Sequence, residues 1–305
     1  MSSNENIVDF IKKQLVATEY YFNEDMKKHT TFKTGGTADL MVVPHNIPEL
    51  RLLMRHIIKE KIPYVVMGHG SNILVGDKGI REVVIKIDKN LNNIAVKGDI
   101  ADVEAGALLA DVSKEVQKNG LSGLEFACGI PGTVGGAVVM NAGAYGREMK
   151  DVAEEVVVLT KAGELLTLKG SDLEFGYRTS SIQTKGDLVL KAKLRLQKGD
   201  KDEIQKTMDE LVMKREQSQP LEYPSAGSTF KRPQGYFTGK LIQEANLSGY
   251  QLGGAQVSKK HAGFVINVGN ATTGDILNLI GHIQKEVKRL FGVELETEVR
   301  VIGEL

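Results

Sequence analysis

The amino-acid sequence predicts an α+β fold, and three observations carry that prediction. Residues 37–70 read as strand, helix and strand, ending in glycines. Residues 82–197 break into short strands with helices inserted among them, and the C-terminal third mixes helical periodicity with loops. Strand-rich stretches interrupted by helices fit α+β better than a doubly wound sheet.

Taken in order, residues 4–15 place Ile7, Phe10, Ile11 and Leu15 on one side of a short amphipathic helix. A Gly-Gly turn then leads into an apolar strand over 40–43, which Pro44 closes. Leu50, Leu53, Met54, Ile57 and Ile58 recur at helical spacing, so "NIPELRLLMRHIIKEK" is an amphipathic helix. "IPYVVMGHGSN" is a strand running into a glycine turn, and ligands gather at that end of strands in α/β units. Beyond it, "REVVIKI", "NNIAVKG", "DIADVEAGA", "EEVVVLTKAGELLTLKG" and "DLVLKAKLRLQ" are strands or hairpins. In the last, Leu188, Leu190, Ala192, Leu194 and Leu196 share a face. A helix over 107–119 and a glycine-rich loop interrupt this region.

Residues 201–219 form a charged helix with a thin stripe of Ile204, Met208, Leu211 and Val212. "GSTFKRPQGYFTGKLIQEANLSGY" reads as loop-rich, "TTGDILNLIGHIQKEVKRLFG" as a capped helix ended by Gly292, and "VELETEVRVIGEL" as a short strand.

The chain has 305 residues, with 39 lysines plus arginines against 39 aspartates plus glutamates. That balance argues against a nucleic-acid binder or a polybasic membrane protein, while leaving room for a local cationic pocket. No apolar run approaches the roughly 18 residues of a membrane span. The N-terminus is acidic early and lacks the apolar core of a signal peptide, so a cytoplasmic protein is expected, as a monomer. Cys128 has no partner for an intrachain disulfide and reads as a small buried thiol. The six histidines lack ligand spacing, so no metal is expected.

"GHGSNILVGDKG" departs from a dinucleotide fingerprint, because position 73 is Ile where the third glycine should stand. It leaves Gly68, Gly70, Ser71 and Asn72, whose backbone N–H groups and small donors suit a diphosphate. The stretch "ACGIPGTVGGAVVMNAGAYG", too glycine-rich for a good helix, supplies a second loop with Gly129, Gly132, Gly135, Gly136, Gly143 and Gly146. Pro131 stiffens it and Asn141 adds hydrogen-bonding capacity. Two such loops some 60 residues apart fit an extended cofactor better than a lone phosphate, against the plainer reading of tight small-residue packing. Arg178, at the end of a short helix, Ser228, in a turn, and Glu298, in the terminal strand, are candidates that no spacing rule joins. Ser228 with His261 is a hydrolase alternative, but G-x-S-x-G is absent.

The ordered set "TFKTGG-ADL", "GHGSNILV", "GLEFACGIPGTVGGAVVMNAGAYG", "YRTSSIQ", "GSTFKRP", "GKLIQ", "HAGFVIN" and "EVRVIG" resembles the UDP-N-acetylenolpyruvoylglucosamine reductase family over residues 31–303. The resemblance implies a vanillyl-alcohol-oxidase (PCMH-type) FAD-binding fold with a C-terminal α+β substrate domain. It implies FAD sub-domains at 1–75 and 76–200, a substrate domain at 201–297, and a strand at 298–305 that returns to the first. The short YRTSSIQ segment looks like the type II branch, which lacks a tyrosine-bearing substrate loop.

The activity implied is reduction of UDP-N-acetylglucosamine enolpyruvate to UDP-N-acetylmuramate in peptidoglycan synthesis, with non-covalent FAD and with NADPH as co-substrate. Carried over by motif, FAD is held by Gly68, His69, Gly70, Ser71, Asn72, Gly129, Ile130, Pro131, Gly132, Gly135, Asn141, Ala142, Gly143, Ala144, Tyr145 and Gly146. Arg178, Ser228 and Glu298 match the catalytic positions. Lys231, Arg232, Lys240, Tyr223 and Tyr236 are substrate-binding candidates. Two departures stand out: Ala226, where relatives have cysteine, and His69, where a small polar residue is common. A flavin oxidase of the same fold and a non-catalytic flavin-binding module are the alternatives.

Overall fold

The computed structural model describes residues 3–305; Met1 and Ser2 of the N-terminal reading lie outside the described residues. The chain divides into two compact units. The first comprises residues up to Tyr21, Leu40–His69 and Glu82–Lys214; the second comprises Phe22–Asp39, Gly70–Arg81 and Arg215–Leu305.

In the first unit, the helix Ser3–Gln14 buries Ile7 and Ile11, and its Phe10 stacks on His56 at 4.0 Å between ring centroids. His56 lies on the helix Ile47–Lys59, which starts where Asn46 accepts the Glu49 N–H at 2.8 Å and which buries Leu50, Leu53, Met54 and Ile57. This helix connects the strands Thr37–Val43 and Tyr64–Met67. The two do not pair with each other. Val83–Lys86 lies between them, parallel to both, in a sheet completed by Glu19–Asp25. All four residues of Val83–Lys86 are buried, as expected of a central parallel strand. Lys86 fits there because its ammonium donates to the Gly68 carbonyl at 2.9 Å and pairs with Asp88 at 3.1 Å.

The larger sheet of this unit is antiparallel, in the order Leu165–Lys169, Ala153–Leu159, Leu188–Arg195, Ile100–Glu104, Ile94–Lys97. Leu190, Ala192, Leu194 and Leu196 are buried on the expected face, with Leu188 half-buried. On the charged helix Lys201–Ser218 only Ile204 and Met208 are buried, so the predicted stripe is narrower than its four residues.

The second unit has its own core, built from Phe32, Leu74, Phe230, Ile242, Val257, Val265 and one face of the helix Thr273–Phe291. That helix has the predicted ends. Thr272 and Asp275 cap reciprocally at 3.0 and 3.1 Å, and Gly292 closes it in a left-handed conformation. A three-stranded antiparallel sheet, Gln251–Leu252, Ala255–Val257 and Val265–Asn267, packs on it. The terminal strand Arg300–Ile302 pairs in parallel with Ile73–Val75.

Four local expectations are corrected. The glycine-rich stretch contains a helix, Val134–Val139. The loop-rich reading of 227–250 misses the helix Thr238–Glu244. Arg178 is not at a helix end; the 3-10 turn Gly170–Leu173 stops well before it. Glu298 precedes the terminal strand rather than lying in it, and it is half-buried where Glu294, Glu296 and Arg300 are exposed.

Candidate functional site

The first unit brings Gly68 and the second glycine-rich loop into direct contact. A Cβ built on Gly68 would lie 2.4 Å from Thr133 Oγ1, so only glycine permits this approach. Thr133 is buried, and its neighbours are laced to residues 105–109. Leu109 donates to the Gly132 carbonyl at 3.0 Å, Val134 to that of Ala107 at 2.8 Å, and Gly135 to that of Ala105 at 2.8 Å. Gly135 therefore serves close packing, since its Cβ would meet Ala105 Cβ at 3.0 Å. Pro131 and Gly136 are exposed, while Gly129, Ile130 and Gly132 are half-buried, so this rigid segment keeps one face towards solvent. Backbone groups and small side chains on a solvent-facing surface are the kind of groups that suit the diphosphate of a dinucleotide cofactor.

Further along, Asn141 and Ala142 are buried. Gly143–Ala144 pairs with Arg147–Glu148 in a hairpin whose two central residues, Tyr145 and Gly146, have φ of 53° and 81°. Positive φ at both central positions is what a two-residue hairpin requires. The Tyr145 hydroxyl donates to the Leu211 carbonyl at 3.0 Å, which ties the hairpin to the charged helix. The Asn141 amide is committed to the protein through three hydrogen bonds: to Glu148 Oε2 at 2.9 Å, to the Gly176 carbonyl at 3.0 Å, and from the Lys150 N–H at 2.9 Å.

Arg178 sits in this unit on a turn whose ends, Gly176 and Thr179, form an antiparallel bridge. Its φ of 57° is unusual for a non-glycine residue, and its guanidinium carbon lies 5.9 Å from the Tyr177 ring centroid. Ser180 follows, buried, with its hydroxyl donating to the Val139 carbonyl at 2.8 Å.

The second unit joins two candidates that spacing left apart. Glu298 donates its N–H to the Thr229 carbonyl at 2.8 Å, Phe230 bridges Thr297, and Lys231 donates to the Glu296 carbonyl at 2.8 Å. Ser228 is the residue before this short ladder, half-buried after Gly227 at φ 74°. Thr229 fixes the ladder to the sheet, donating to the Gly263 carbonyl at 2.9 Å and accepting the Val265 N–H on its hydroxyl at 2.9 Å. From the first glycine turn, Gly70 is buried and Ser71 half-buried; Asn72 grips the terminal segment, donating to the Glu298 carbonyl at 3.1 Å and accepting the Arg300 N–H at 3.0 Å. His69, half-buried, ends the neighbouring segment of the first unit.

The substrate-binding candidates are surface groups with protein neighbours. Lys231 pairs with Glu296, Lys240 with Glu244 at 3.7 Å, and Arg232 lies 3.9 Å over the Phe237 ring. Tyr223 and Tyr236 are exposed. His261 is a poor base for Ser228: burial pushes its imidazole below the usual range, and its Nδ1 accepts the Gly263 N–H at 3.1 Å. Cys128 is half-buried, with its thiol 3.7 Å from the Met208 carbonyl. Among the described residues no cluster of three or more His, Cys, Asp or Glu could hold a metal. No described helix is long and apolar enough to cross a membrane.

Thr133, Thr229 and Lys86 were not singled out from the sequence. Lys86 stands out there as a charge within an apolar run, while the two threonines sit in glycine-rich turns that give them no signal.

Comparison with known proteins identifies the family. Residues 38–169 match the family model of an FAD binding domain, and residues 219–302 match that of the UDP-N-acetylenolpyruvoylglucosamine reductase C-terminal domain. The UDP-N-acetylenolpyruvoylglucosamine reductase of Caldanaerobacter subterraneus subsp. tengcongensis is 52% identical over 300 residues, covering 98% of this chain and 99% of that one. The protein of that name from Alkaliphilus metalliredigens is 53% identical over 292 residues, covering 95% and 96%. The crystal structure of UDP-N-acetylenolpyruvylglucosamine reductase from Thermus caldophilus superposes with a TM-score of 0.80 at 37% identity, covering 93% of this chain and 98% of that chain. Phl p 4.0202, a glucose dehydrogenase, shares the fold alone, at a TM-score of 0.51 and 14% identity over 65% of this chain and 44% of its own. The fold is therefore the vanillyl-alcohol-oxidase type expected, and the chain belongs to the UDP-N-acetylenolpyruvoylglucosamine reductase family of FAD-dependent oxidoreductases.

Proposed function

We propose that this chain reduces the enolpyruvyl ether of UDP-N-acetylglucosamine enolpyruvate to UDP-N-acetylmuramate, with Arg178, Ser228 and Glu298 as its catalytic residues. The observation that supports the residue assignment is the ladder that carries Ser228 and Glu298 on paired segments through Thr229. Bound FAD would supply, from NADPH, the hydride that C3 of the enolpyruvyl group accepts. Negative charge then develops at C2 and spreads onto the substrate carboxylate. Arg178 stabilises that charge, since a guanidinium stays protonated at any working pH. The Ser228 hydroxyl gives its proton to C2; serine is a weak acid, but an enolate carbon is basic enough to take it. Glu298 orients the reacting groups from the segment that Thr229 and Asn72 hold.

In this reading, residues 1–75 and 76–200 hold the flavin. Gly68–Asn72 and Gly129–Gly132 with Ala142–Gly146 cradle its diphosphate and ring, while 201–297 binds substrate through Lys231, Arg232, Lys240, Tyr223 and Tyr236. The enzyme works as a cytoplasmic monomer on small molecules, without nucleic acid or membrane.

The test separates the two half-reactions. Ser228→Ala should slow anaerobic reoxidation of the reduced flavin by substrate about 10²- to 10⁴-fold. Flavin reduction by NADPH should stay within about twofold of wild type, because no proton donor to carbon acts there. Equal losses in both half-reactions would remove Ser228 from the mechanism.

A further inference from the structure

The Asn141 amide lies between the glycine-rich stretch and the turn that carries Arg178. Asn141 is 1% exposed, and its three side-chain hydrogen bonds saturate both donors and one acceptor site. One donor goes to the Gly176 carbonyl at 3.0 Å, at the first corner of the turn. At the other corner Ser180 donates its hydroxyl to the Val139 carbonyl at 2.8 Å. Both shoulders of the Gly176–Thr179 bridge are thus fastened to residues 139–141, with Arg178 on the turn between them. The backbone of Asn141 itself has a φ of 44°, a conformation asparagine tolerates better than most side chains.

We propose that Asn141 is a positioning residue: its amide fixes the Arg178 turn to the cofactor-binding loop, so that Arg178 acts from a set place. The inference rests on the reading of Arg178 as the group that stabilises charge on the substrate. Asparagine is required because the site presents a carboxylate and a carbonyl on one side and an N–H on the other. Aspartate has the same shape but turns both donors into lone pairs facing Glu148 and Gly176. A shift of about 1 Å in a charge-stabilising group is enough to lower a rate on the order of 10²-fold.

The experiment uses the FAD-loaded enzyme with Asn141→Asp, and the pair Asn141→Asp with Glu148→Gln. In the pair, the amide introduced by Glu148→Gln restores a donor towards residue 141, while the Gly176 carbonyl remains without one. The expected result for Asn141→Asp is an FAD dissociation constant within about twofold of wild type, reoxidation by substrate slowed on the order of 10²-fold, and NADPH reduction little changed. Amide hydrogen exchange at Gly176 and Thr179 should quicken. The pair should recover thermal stability without recovering the reoxidation rate. Added to Arg178→Ala, Asn141→Asp should slow reoxidation by less than about twofold more, as expected when one residue acts through another.

Three results would overturn the proposal: weakened FAD binding with reoxidation unaltered, full additivity with Arg178→Ala, or rate recovery in the pair. Should Arg178→Ala alone leave reoxidation unchanged, the catalytic assignment fails. Exchange at Gly176 and Thr179 then decides the tether by itself: quickened exchange supports it and unchanged exchange refutes it.

Discussion

Replacing Gly68 by alanine tests whether the two glycine-rich loops form one cofactor cradle. The added methyl would stand 2.4 Å from Thr133 Oγ1, about 1 Å short of an ordinary contact. Neither side can retreat easily. The Gly68 carbonyl is held by the Lys86 ammonium, which is itself 9% exposed and paired with Asp88. Across from it, Thr133 lies between Gly132 and Val134, both bonded to residues 107–109. Overpacking a rigid site of this kind costs about 1–3 kcal/mol. The contact exists without cofactor, so the cost falls first on the fold and lowers the melting temperature; to the extent that the cradle backbone shifts to relieve it, the FAD dissociation constant rises, by at most about 150-fold.

Thr133→Ala supplies the control, because without the hydroxyl the nearest Thr133 atom to the new methyl is Cβ at 3.5 Å. The double variant should therefore bind FAD more tightly than Gly68→Ala alone, by about 1–3 kcal/mol of coupling. Titration of apo-protein with FAD, followed by flavin fluorescence, measures all four corners of the cycle. Thermal melts of the same proteins report any cost that falls on the fold. Wild-type affinity and melting in Gly68→Ala would refute the argument. So would a double variant no better than the single one, since the contact at fault would then lie elsewhere.

Thr272→Ala should destabilise the second unit by about 1 kcal/mol, seen as a lower denaturant midpoint, because it leaves the Asp275 N–H of the first helical turn without its cap. Hydrogen bonds from the Thr272 and Gly254 N–H groups hold the Asp275 carboxyl below its usual range, so its contribution is complete above the unfolded aspartate pKa and fades as pH falls through the folded value. Glu155, bonded to Lys169 and Lys193 across three strands, is lowered to about 2. Its sheet contribution should accordingly be complete above the ordinary glutamate pKa, shrink steadily as pH falls below it and vanish below about 2, which denaturant midpoints of wild type and Glu155→Gln converging over that range would read.

The elements legible in the sequence are those whose local pattern and tertiary role agree. Leu50, Leu53, Met54 and Ile57 had the right period and are buried; Thr272, Asp275 and Gly292 had the right cap chemistry and cap the helix. The failures occur where long-range contacts override local preference. Val134–Val139 is helical despite Gly135 and Gly136, because Gly135 must approach Ala105 and its segment is laced to 105–109. Thr238–Glu244 is seven residues long and has no side-chain cap, so nothing local announced it. The strand reading put Glu298 inside the terminal strand, whereas its N–H pairs with Thr229 and it stands half-buried before that strand. The glycine loops themselves were legible as a pair, because glycine is the direct signature of close backbone approach.

The candidate catalytic side chains were identified through motif resemblance and not through geometry, and the structure gives a physical reason. Arg178 and Ser228 both lie on turns outside regular elements, and Glu298 lies just before a strand. No periodicity marks such positions. What holds them is a set of buried polar neighbours: Asn141 and Ser180 flank the Arg178 turn, while Thr229, between Gly263, Val265 and Glu298, anchors the other two. An irregular segment in a protein core exposes backbone groups that must find partners, and short polar side chains supply them without adding bulk. The same bonds that satisfy the backbone also set the direction of the side chain they flank. Precision at these sites therefore comes from residues that need never touch the substrate. The buried Asn141, Ser180 and Thr229 beside these turns therefore make Arg178, Ser228 and Glu298 the side chains to test before the exposed lysines and tyrosines.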